Sequence, residues 1–420
     1  MKNTNQKLQK IKKAANLLAL SSFQKRDLVL IEIANSLNKN ETRILKENQK
    51  DILFIKSSSD LNTTSAFIDR LRLNHERLQQ IIQSLHSVAQ IKDPLESNLQ
   101  PSKKLKNGLI LKKKKSPIGV VFIIFESRPN VAIEAFSMGF KAGNAMILKG
   151  GKESFHTTEF FYKIIKKALE KYQLPESCLW GVPANDRETT QSLLKENKFI
   201  DVVIPRGGDK LIEYVTENSR IPIIKNDRGL CHAYIHFDAN INMAINIIEN
   251  GKIQRPSVCN SIETILIHEK IANQILPELY LRLNLETWFV CKTTKKILIN
   301  KKNVYLANPK NWNTEYLDLK INCKIVKSDQ EAIEHIQKYS SHHSETIITK
   351  TKKTAENFQN QIDSAVVYWN ASTRFTDGFE FGFGGEIGIS TQKLHVRGPV
   401  GLTALTTERW VVTGQGQIRR

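Results

Sequence analysis

Cys259 is the residue best suited to covalent chemistry in this chain. It lies in the polar, turn-forming run Gln254-Arg255-Pro256-Ser257-Val258-Cys259-Asn260-Ser261, directly ahead of an apolar, strand-like run. A thiolate is a strong nucleophile, and a guanidinium such as Arg255 close by favours it over the thiol. The other four cysteines, Cys178, Cys231, Cys291 and Cys323, have no such surroundings. A plain buried thiol is the competing reading for Cys259. Five cysteines make an odd count with no CxxC pair. That pattern disfavours a disulfide framework or a structural zinc site and suggests a reduced, cytoplasmic setting.

Four further segments have ligand-binding chemistry. Lys149-Gly150-Gly151-Lys152 follows a strand-like run and precedes a helix-like one. Glycines there let a backbone approach a phosphate at a helix N-terminus. It is not a P-loop, because Met146 stands where the first glycine belongs and Glu153 where Ser or Thr does, and no GxGxxG occurs. Arg206-Gly207-Gly208 makes a second such turn. Each alone also fits an ordinary strand-to-helix turn, but two in one alternating array favour a nucleotide cofactor. Ser127, Arg128 and Asn130 follow the apolar run 120–125. Ligands of open α/β sheets bind at the carboxyl ends of strands. Arg128 offers a two-pronged grip on phosphate or carboxylate, and Asn130 a donor to an oxyanion; a surface salt bridge and a helix cap explain them equally. Finally, five of the residues from Gly378 to Gly388 are glycine, with Glu386 among them as a carboxylate suited to ribose hydroxyls.

These groups need strands and helices to position them. Residues 15–100 read as helical, with Ser22 capping a helix to Leu37 and others over Glu41–Ile55 and Ala66–Val88. Strands then alternate with helices: Val120–Phe125, helix Val131–Ala142, Ala145–Lys149, helix Phe155–Lys171, a short strand near Cys178, helix Arg187–Asn197 and Asp201–Ile204. That alternation predicts a parallel, doubly wound sheet. A second α/β unit follows. Its predicted strands are Ala233–Phe237, Ile262–Ile267, Lys296–Ile299, Thr346–Thr349 and Ala365–Trp369; its helices are Met243–Asn250, Lys270–Leu285 and Asp329–Tyr339. The chain ends in a β-like run, Arg409–Thr413.

Composition narrows the function. The 420 residues carry a formal charge of +20, with 45 Lys and 17 Arg. Nucleic acid is not the expected partner, since the lysines are scattered and no nucleic-acid-binding motif accompanies them. The charge can instead attract anionic substrates. No apolar run approaches the ~18 residues of a membrane span.

Taken together, four stretches resemble the γ-glutamyl phosphate reductases of the aldehyde dehydrogenase superfamily. They are SPIGVVFIIFESRPNVAIEAFSMGFKAGNAMILKGGKES, VIPRGG, QRPSVCNSIETILIH and FTDGFEFGFGGEIGISTQKLHVRGPVGLTALTTERWVVTGQGQIR, in the family's order. The resemblance implies an aldehyde dehydrogenase-like α/β fold. A Rossmann-like cofactor domain would cover 1–104 and 119–230, an α/β catalytic domain 231–395, and a small β oligomerisation element 105–118 and 396–420. It implies that Cys259 is the nucleophile, and that Lys149, Gly150, Gly151, Lys152, Arg206, Gly207, Gly208 and Glu386 contact NADPH or NADP. Ser127, Arg128 and Arg255 would contact substrate, and Asn130 would assist the oxyanion. It further implies a homo-oligomer and transient contact with glutamate 5-kinase. The sequence departs from the family pattern at Gly385, His236 and Asp227-Arg228-Gly229. The expected reaction is reduction of L-glutamyl 5-phosphate to the semialdehyde through a Cys259 thioester. Hydrolytic aldehyde dehydrogenases need a glutamate to activate water, and Glu213, Glu217 and Glu249 sit in no matching motif. A hydrolytic dehydrogenase and a non-catalytic binding protein are the rival classes.

Overall fold

The computed structural model describes residues 2–57, 65–96, 101–126, 128–225 and 228–419. These form two compact units. The first comprises Met1–Asn226, Gly382–Gly388 and Val400–Arg420, and the second Asp227–Phe381 and Ile389–Pro399.

The first unit opens with helices Lys2–Ala19, Phe23–Lys39, Glu41–Ser57, Ser65–Leu71 and His75–Gln90. Ser22 caps the second of these, its side chain accepting from the Lys25 N–H. Val29, Leu30, Ile33 and Leu37 form its buried face, at the spacing an amphipathic helix requires. The single helix expected over Ala66–Val88 is two, because Asn74 restarts the helix by accepting from the Arg77 N–H at 2.8 Å. Strands β1 (Lys103–Lys104) and β2 (Ile110–Pro117) come next. A parallel sheet follows, built from β3 (Val120–Phe125), β4 (Ala145–Lys149), β5 (Leu179–Gly181) and β6 (Val202–Arg206) in the order β5-β4-β3-β6. Every residue of β3 is buried, as a strand covered on both faces must be. Leu8, Ile11 and Ala15 of the first helix join that core. The linking helices are Asn130–Lys141, Phe155–Lys171, Arg187–Leu193 and Asp209–Asn218.

The second unit contains a seven-stranded sheet, all parallel. Its strands are β7 (Cys231–Ile235), β8 (Ile262–His268), β9 (Thr287–Val290), β10 (Val304–Leu306), β11 (Lys320–Val326), β12 (Ser344–Ile348) and β13 (Val366–Trp369), in the order β10-β9-β11-β8-β7-β12-β13. Helices Ile241–Ile253, Glu269–Leu283, Asp329–Tyr339 and Lys352–Gln361 connect them. The strand expected over Lys296–Ile299 is not there: Lys292–Ile297 is helical. The cause lies just upstream, where the Cys291 side chain caps that helix by accepting from the Thr294 N–H. A short antiparallel pair, β14 (Ile389–Ser390) and β15 (Gly398–Pro399), completes the unit.

The last strand, β16 (Thr406–Thr413), belongs to the first unit and pairs antiparallel with β2 over eight residues, from Thr406 opposite Pro117 to Thr413 opposite Ile110. With β1 these strands form a separate sheet in the order β1-β2-β16. β16 is an edge strand of this sheet, and Trp410 and Val412 on it are 57% and 52% exposed. Among the described residues no helix is long and apolar enough to cross a membrane.

Candidate active site

In the second unit the site is built at the amino ends of adjacent parallel strands. Cys259 precedes β8, Gly229 precedes β7 and His343 precedes β12, and these three strands are neighbours. The Cys259 turn joins helix Ile241–Ile253 to β8. A buried ion pair, Lys252 Nζ to Glu263 Oε2 at 2.9 Å, ties that helix to that strand. Burial pushes the Glu263 carboxyl up to about 7, against the pull of the Lys252 charge. Within the turn the Ser261 N–H donates to the Val258 carbonyl at 3.0 Å.

Asn260, buried beside the half-buried Cys259, fixes the turn to the segment after β13. Its Nδ2 donates to the Thr376 carbonyl at 2.9 Å, its own carbonyl accepts from Thr373 Oγ1 at 2.7 Å, and its Oδ1 accepts from Arg374 Nη1. Arg374 Nε donates to Gln254 Oε1 at 3.1 Å. One guanidinium thereby bridges two residues that bracket Cys259. Burial, then the like charge of Arg255, lowers the Arg374 pKa, while Asp377, Cys259 and Glu380 oppose the shift. Both arginines and the thiol thus belong to one electrostatic group.

A second thiol supports the turn. Cys231 Sγ donates to the Cys259 carbonyl at 3.2 Å and lies 3.7 Å from His343 Nδ1. Hydrogen bonds continue from His343 Nδ1 to Ser344 Oγ (2.8 Å), to Thr376 Oγ1 (2.7 Å) and to Tyr368 OH (2.8 Å). Burial raises the Cys231 thiol well above its ordinary value, holds His343 down to about 4 and pushes Cys178 up to about 12. Cys323 is buried too, and Cys291 is engaged as a helix cap. Of the five thiols, Cys259 alone is both half-buried and set beside guanidinium groups. Within the Asp227-Arg228-Gly229 run, the glycine has a steric reason. A Cβ on Gly229 would stand 2.7 Å from Cys259 Cα and closer still to the Cys259 carbonyl, so only glycine fits. The Gly229 N–H donates to Glu315 Oε1 at 2.8 Å, a carboxylate that sequence reading passed over. Glu249 instead pairs with Arg282 at 2.8 Å on the surface.

In the first unit, Glu126, Lys149 and Arg206 stand at the carboxyl ends of β3, β4 and β6. Burial lowers the Lys149 pKa; Glu153 and Glu126 oppose that shift and Arg187 adds to it. Carboxyl groups of the unit itself meet the helix N-terminus that follows the first glycine turn and the second glycine turn directly. Asp51 accepts from the His156 and Thr157 N–H groups at 2.8 and 2.9 Å and from Thr157 Oγ1 at 2.6 Å. The first-turn N–H groups of helix Phe155–Lys171 are therefore already occupied by a carboxyl group, whose pKa burial raises. Likewise Glu126 Oε2 accepts from the Gly208 N–H at 3.0 Å, and Arg206 Nη1 donates to the Ile387 carbonyl. That second bond brings Arg206 to the residue after Glu386. The glycine-rich loop is further held by Ile387 N–H to the Val400 carbonyl at 3.0 Å and Val400 N–H to the Gly388 carbonyl at 2.7 Å.

The residues singled out in the sequence thus divide between the units. Lys149, Gly150, Gly151, Lys152, Arg206, Gly207, Gly208, Glu386, Arg128 and Asn130 lie in the first, and Cys259 and Arg255 in the second. Asn130 Nδ2 donates to Glu134 Oε1, one helical turn on, at 2.8 Å. Ser127 lies outside the described residues. Asn260, Arg374, Gly229, Asp51 and Glu126 were not anticipated. The glycine was the one with a visible signal, an odd run just ahead of a strand.

Comparison with known proteins places this geometry. The model of the aldehyde dehydrogenase family matches residues 2–286. The γ-glutamyl phosphate reductase of Nautilia profundicola is 45% identical over 415 residues, covering 98% of this chain and 99% of that one. That of Kosmotoga olearia is 42% identical over 423 residues and the whole of both chains. The crystal structure of γ-glutamyl phosphate reductase from Thermotoga maritima superposes with a TM-score of 0.94 at 37% identity, covering 99% of this chain and all of that one. A Methanocaldococcus jannaschii glyceraldehyde-3-phosphate dehydrogenase, solved with NADP, shares the fold at a TM-score of 0.69 and 15% identity, with coverage of 99% of this chain and 94% of that one.

Proposed function

The chain belongs to the aldehyde dehydrogenase family and within it to the γ-glutamyl phosphate reductases; on that premise we propose that a thioester on Cys259 carries its reaction and that NADPH is its reductant. The reaction is reduction of L-glutamyl 5-phosphate to L-glutamate 5-semialdehyde, the second step of proline biosynthesis from glutamate. The observation that carries the Cys259 assignment is its turn: a half-buried thiol in one electrostatic group with two arginines, fixed by Asn260.

The thiolate of Cys259 attacks the acyl carbon, the carbon–sulfur bond forms, and phosphate leaves with the electrons of the carbon–oxygen bond. The oxyanion formed on the way takes the backbone N–H of Cys259, with the Asn130 amide as a second donor. Arg128 and Arg255 contact the substrate, together with Ser127. A nicotinamide held in the first unit would supply the hydride chemistry that reduces the thioester. Cys259 is released as thiolate when the resulting thiohemiacetal collapses to the aldehyde. The groups at the strand ends of the first unit fit such a cofactor. Lys149, partly desolvated, gains from a phosphate at its ammonium, and Glu386 is half-buried beside the Arg206 anchor. In this reading Lys149, Gly150, Gly151 and Lys152 line the adenosine side, Arg206, Gly207 and Gly208 the phosphate side, and Glu386 accepts from the nicotinamide ribose. Glu126 then gives up the Gly208 N–H as a phosphate arrives. Residues 1–104 and 119–230 serve the cofactor, 231–395 the chemistry, and 105–118 with 396–420 subunit association through the β2–β16 sheet. The setting is the cytoplasm, with glutamate 5-kinase as a transient donor of the labile acyl phosphate.

The test runs the reaction in reverse. Semialdehyde and NADP should give one burst of NADPH per active site, followed by slow turnover, because the thioester waits for phosphate. Phosphate or arsenate should restore steady turnover, and Cys259→Ala should abolish the burst while cofactor still binds. Sustained, phosphate-independent formation of glutamate would sink this reading and make the enzyme hydrolytic, with Glu315 the first carboxylate to replace.

A further inference from the structure

We propose that Arg374 is the receptor for the phosphoryl group of the acyl phosphate, and for inorganic phosphate in the reverse direction. The inference deepens the Cys259 thioester reading and rests on it. Three observations carry it. First, Arg374 is fixed across the nucleophile's own turn, through Nε to Gln254 Oε1 at 3.1 Å and through Nη1 to Asn260 Oδ1, the residue adjacent to Cys259. The Cys259 charge also acts on the Arg374 guanidinium, which puts the cation within electrostatic reach of the thiol. Second, these anchors leave Nη2 without a hydrogen bond among the described residues, a donor still available on a rigidly held cation. Third, Arg374 is half-buried, and burial and the neighbouring Arg255 both oppose its charge, so an arriving dianion relieves an existing electrostatic cost.

The chemistry says which anion this is. Glutamyl phosphate carries two, the α-carboxylate and the phosphoryl group. The phosphoryl oxygen is bonded to the carbon that sulfur attacks, whereas the carboxylate sits at the far end of the substrate. A cation anchored beside the thiol therefore meets the phosphoryl group. As the carbon–sulfur bond forms and the carbon–oxygen bond breaks, the leaving oxygen gains negative charge and Arg374 stabilises it. In reverse, phosphate held there attacks the thioester carbon, a carbon–oxygen bond forms, and Cys259 departs as thiolate. Arg255, exposed on the same turn, adds charge without such anchoring.

The experiment separates phosphate recognition from a purely structural role. In the wild type the phosphate-free burst is measured first, then the phosphate dependence of steady turnover. Arg374→Gln, confirmed as folded by thermal melting, also loses its anchors on the turn, so its phosphate-dependent turnover should fall far more than its burst rate. Its Michaelis constant for phosphate should rise by on the order of 10- to 100-fold, the range for losing a hydrogen bond to a charged group. Arg374→Lys keeps the charge but loses the fork, and its constant should rise less. Added methylguanidinium should lower the constant in Arg374→Gln and leave the wild type unchanged. An unchanged phosphate constant in either folded variant overturns the proposal. So does a burst that slows in step with the phosphate-dependent rate, since that marks Arg374 as a brace for the turn. If Arg374→Gln does not fold, the lysine variant decides. A wild type with no phosphate-stimulated turnover would instead overturn the reductase reading itself.

Discussion

Gly229 offers the sharpest test of how the Cys259 turn is held. Its Cβ position lies 2.7 Å from Cys259 Cα and closer to the carbonyl oxygen. Carbon atoms settle at about 3.5–4.0 Å and the carbonyl contact is tighter still, so alanine at 229 must drive the two backbones apart by at least roughly 1 Å. Neither side yields easily. The Gly229 N–H is fixed to Glu315 at 2.8 Å, and Cys259 is fixed through Asn260 and through Cys231 Sγ on its carbonyl at 3.2 Å. Displacing a reacting atom by about 1 Å costs about 100-fold in rate, equivalent to ~2.7 kcal/mol of barrier. Overpacking of this kind also costs about 1–3 kcal/mol in stability. Gly229→Ala should therefore slow the NADPH burst about 100-fold. Alkylation of Cys259 by iodoacetamide should change as well, while cofactor affinity should not, because the proposed cofactor groups lie in the other unit. Stopped-flow burst kinetics, titration of NADP binding and a thermal melt on one preparation separate these effects. A folded Gly229→Ala enzyme with a wild-type burst rate would refute the account of the crossing.

Two further outcomes are expected. Burial holds His343 to about 4 against an ordinary 6.5, so the unfolded chain binds a proton between those values that the folded one does not. Its contribution is complete above pH 6.5 and is lost as pH falls toward 4. At about 1.36 kcal/mol per unit the loss approaches roughly 3 kcal/mol, so His343→Gln should flatten the fall in urea midpoint across that window; an identical slope in both proteins would show that His343 is not held neutral. For the cofactor, Lys149→Ala should raise the Michaelis constant for NADPH far more than for NADH, and equal losses would move Lys149 from the 2′-phosphate to a ribose or structural role.

Much of the fold is legible along the chain. Ala145–Lys149, Phe155–Lys171 and Asp329–Tyr339 have the residue bounds expected from periodicity and punctuation. The misses have physical causes. β11 reads Lys-Ile-Asn-Cys-Lys-Ile-Val, broken by polar residues, yet it sits between β8 and β9. Its Asn322 is buried because Tyr316 OH donates to it at 2.8 Å and it donates in turn to the Asn311 carbonyl at 3.0 Å. No local pattern announces such partners. Helix Lys352–Gln361 buries only Ala355 and Phe358, too narrow a stripe to stand out from a polar loop. β10 is three residues long, below what alternation can reveal.

The site was legible differently. The candidate nucleophile stands out locally, because a thiol in a polar turn beside an arginine is unusual. Its support does not, because sheet order assembles it. β8, β7 and β12 are neighbours and parallel, so the segments before them meet at one edge. Gly229, Cys259 and His343, far apart in sequence, arrive there together. Arg374 reaches the same place only because Thr373, Arg374 and Thr376 hydrogen-bond to Asn260. The two glycine turns show the converse. Local sequence left them open between phosphate cradles and ordinary strand-to-helix turns; Asp51, more than a hundred positions from His156 and Thr157, occupies the helix start after the first, and Glu126 occupies the second. An anion site at a helix N-terminus is a statement about available N–H groups, and availability is settled by whatever the rest of the fold brings to them. A phosphate can enter at Gly208 only if Glu126 leaves, whereas at Arg374 it displaces no hydrogen-bonded carboxylate, and that asymmetry favours the proposed phosphoryl site beside the thiol over a glycine motif.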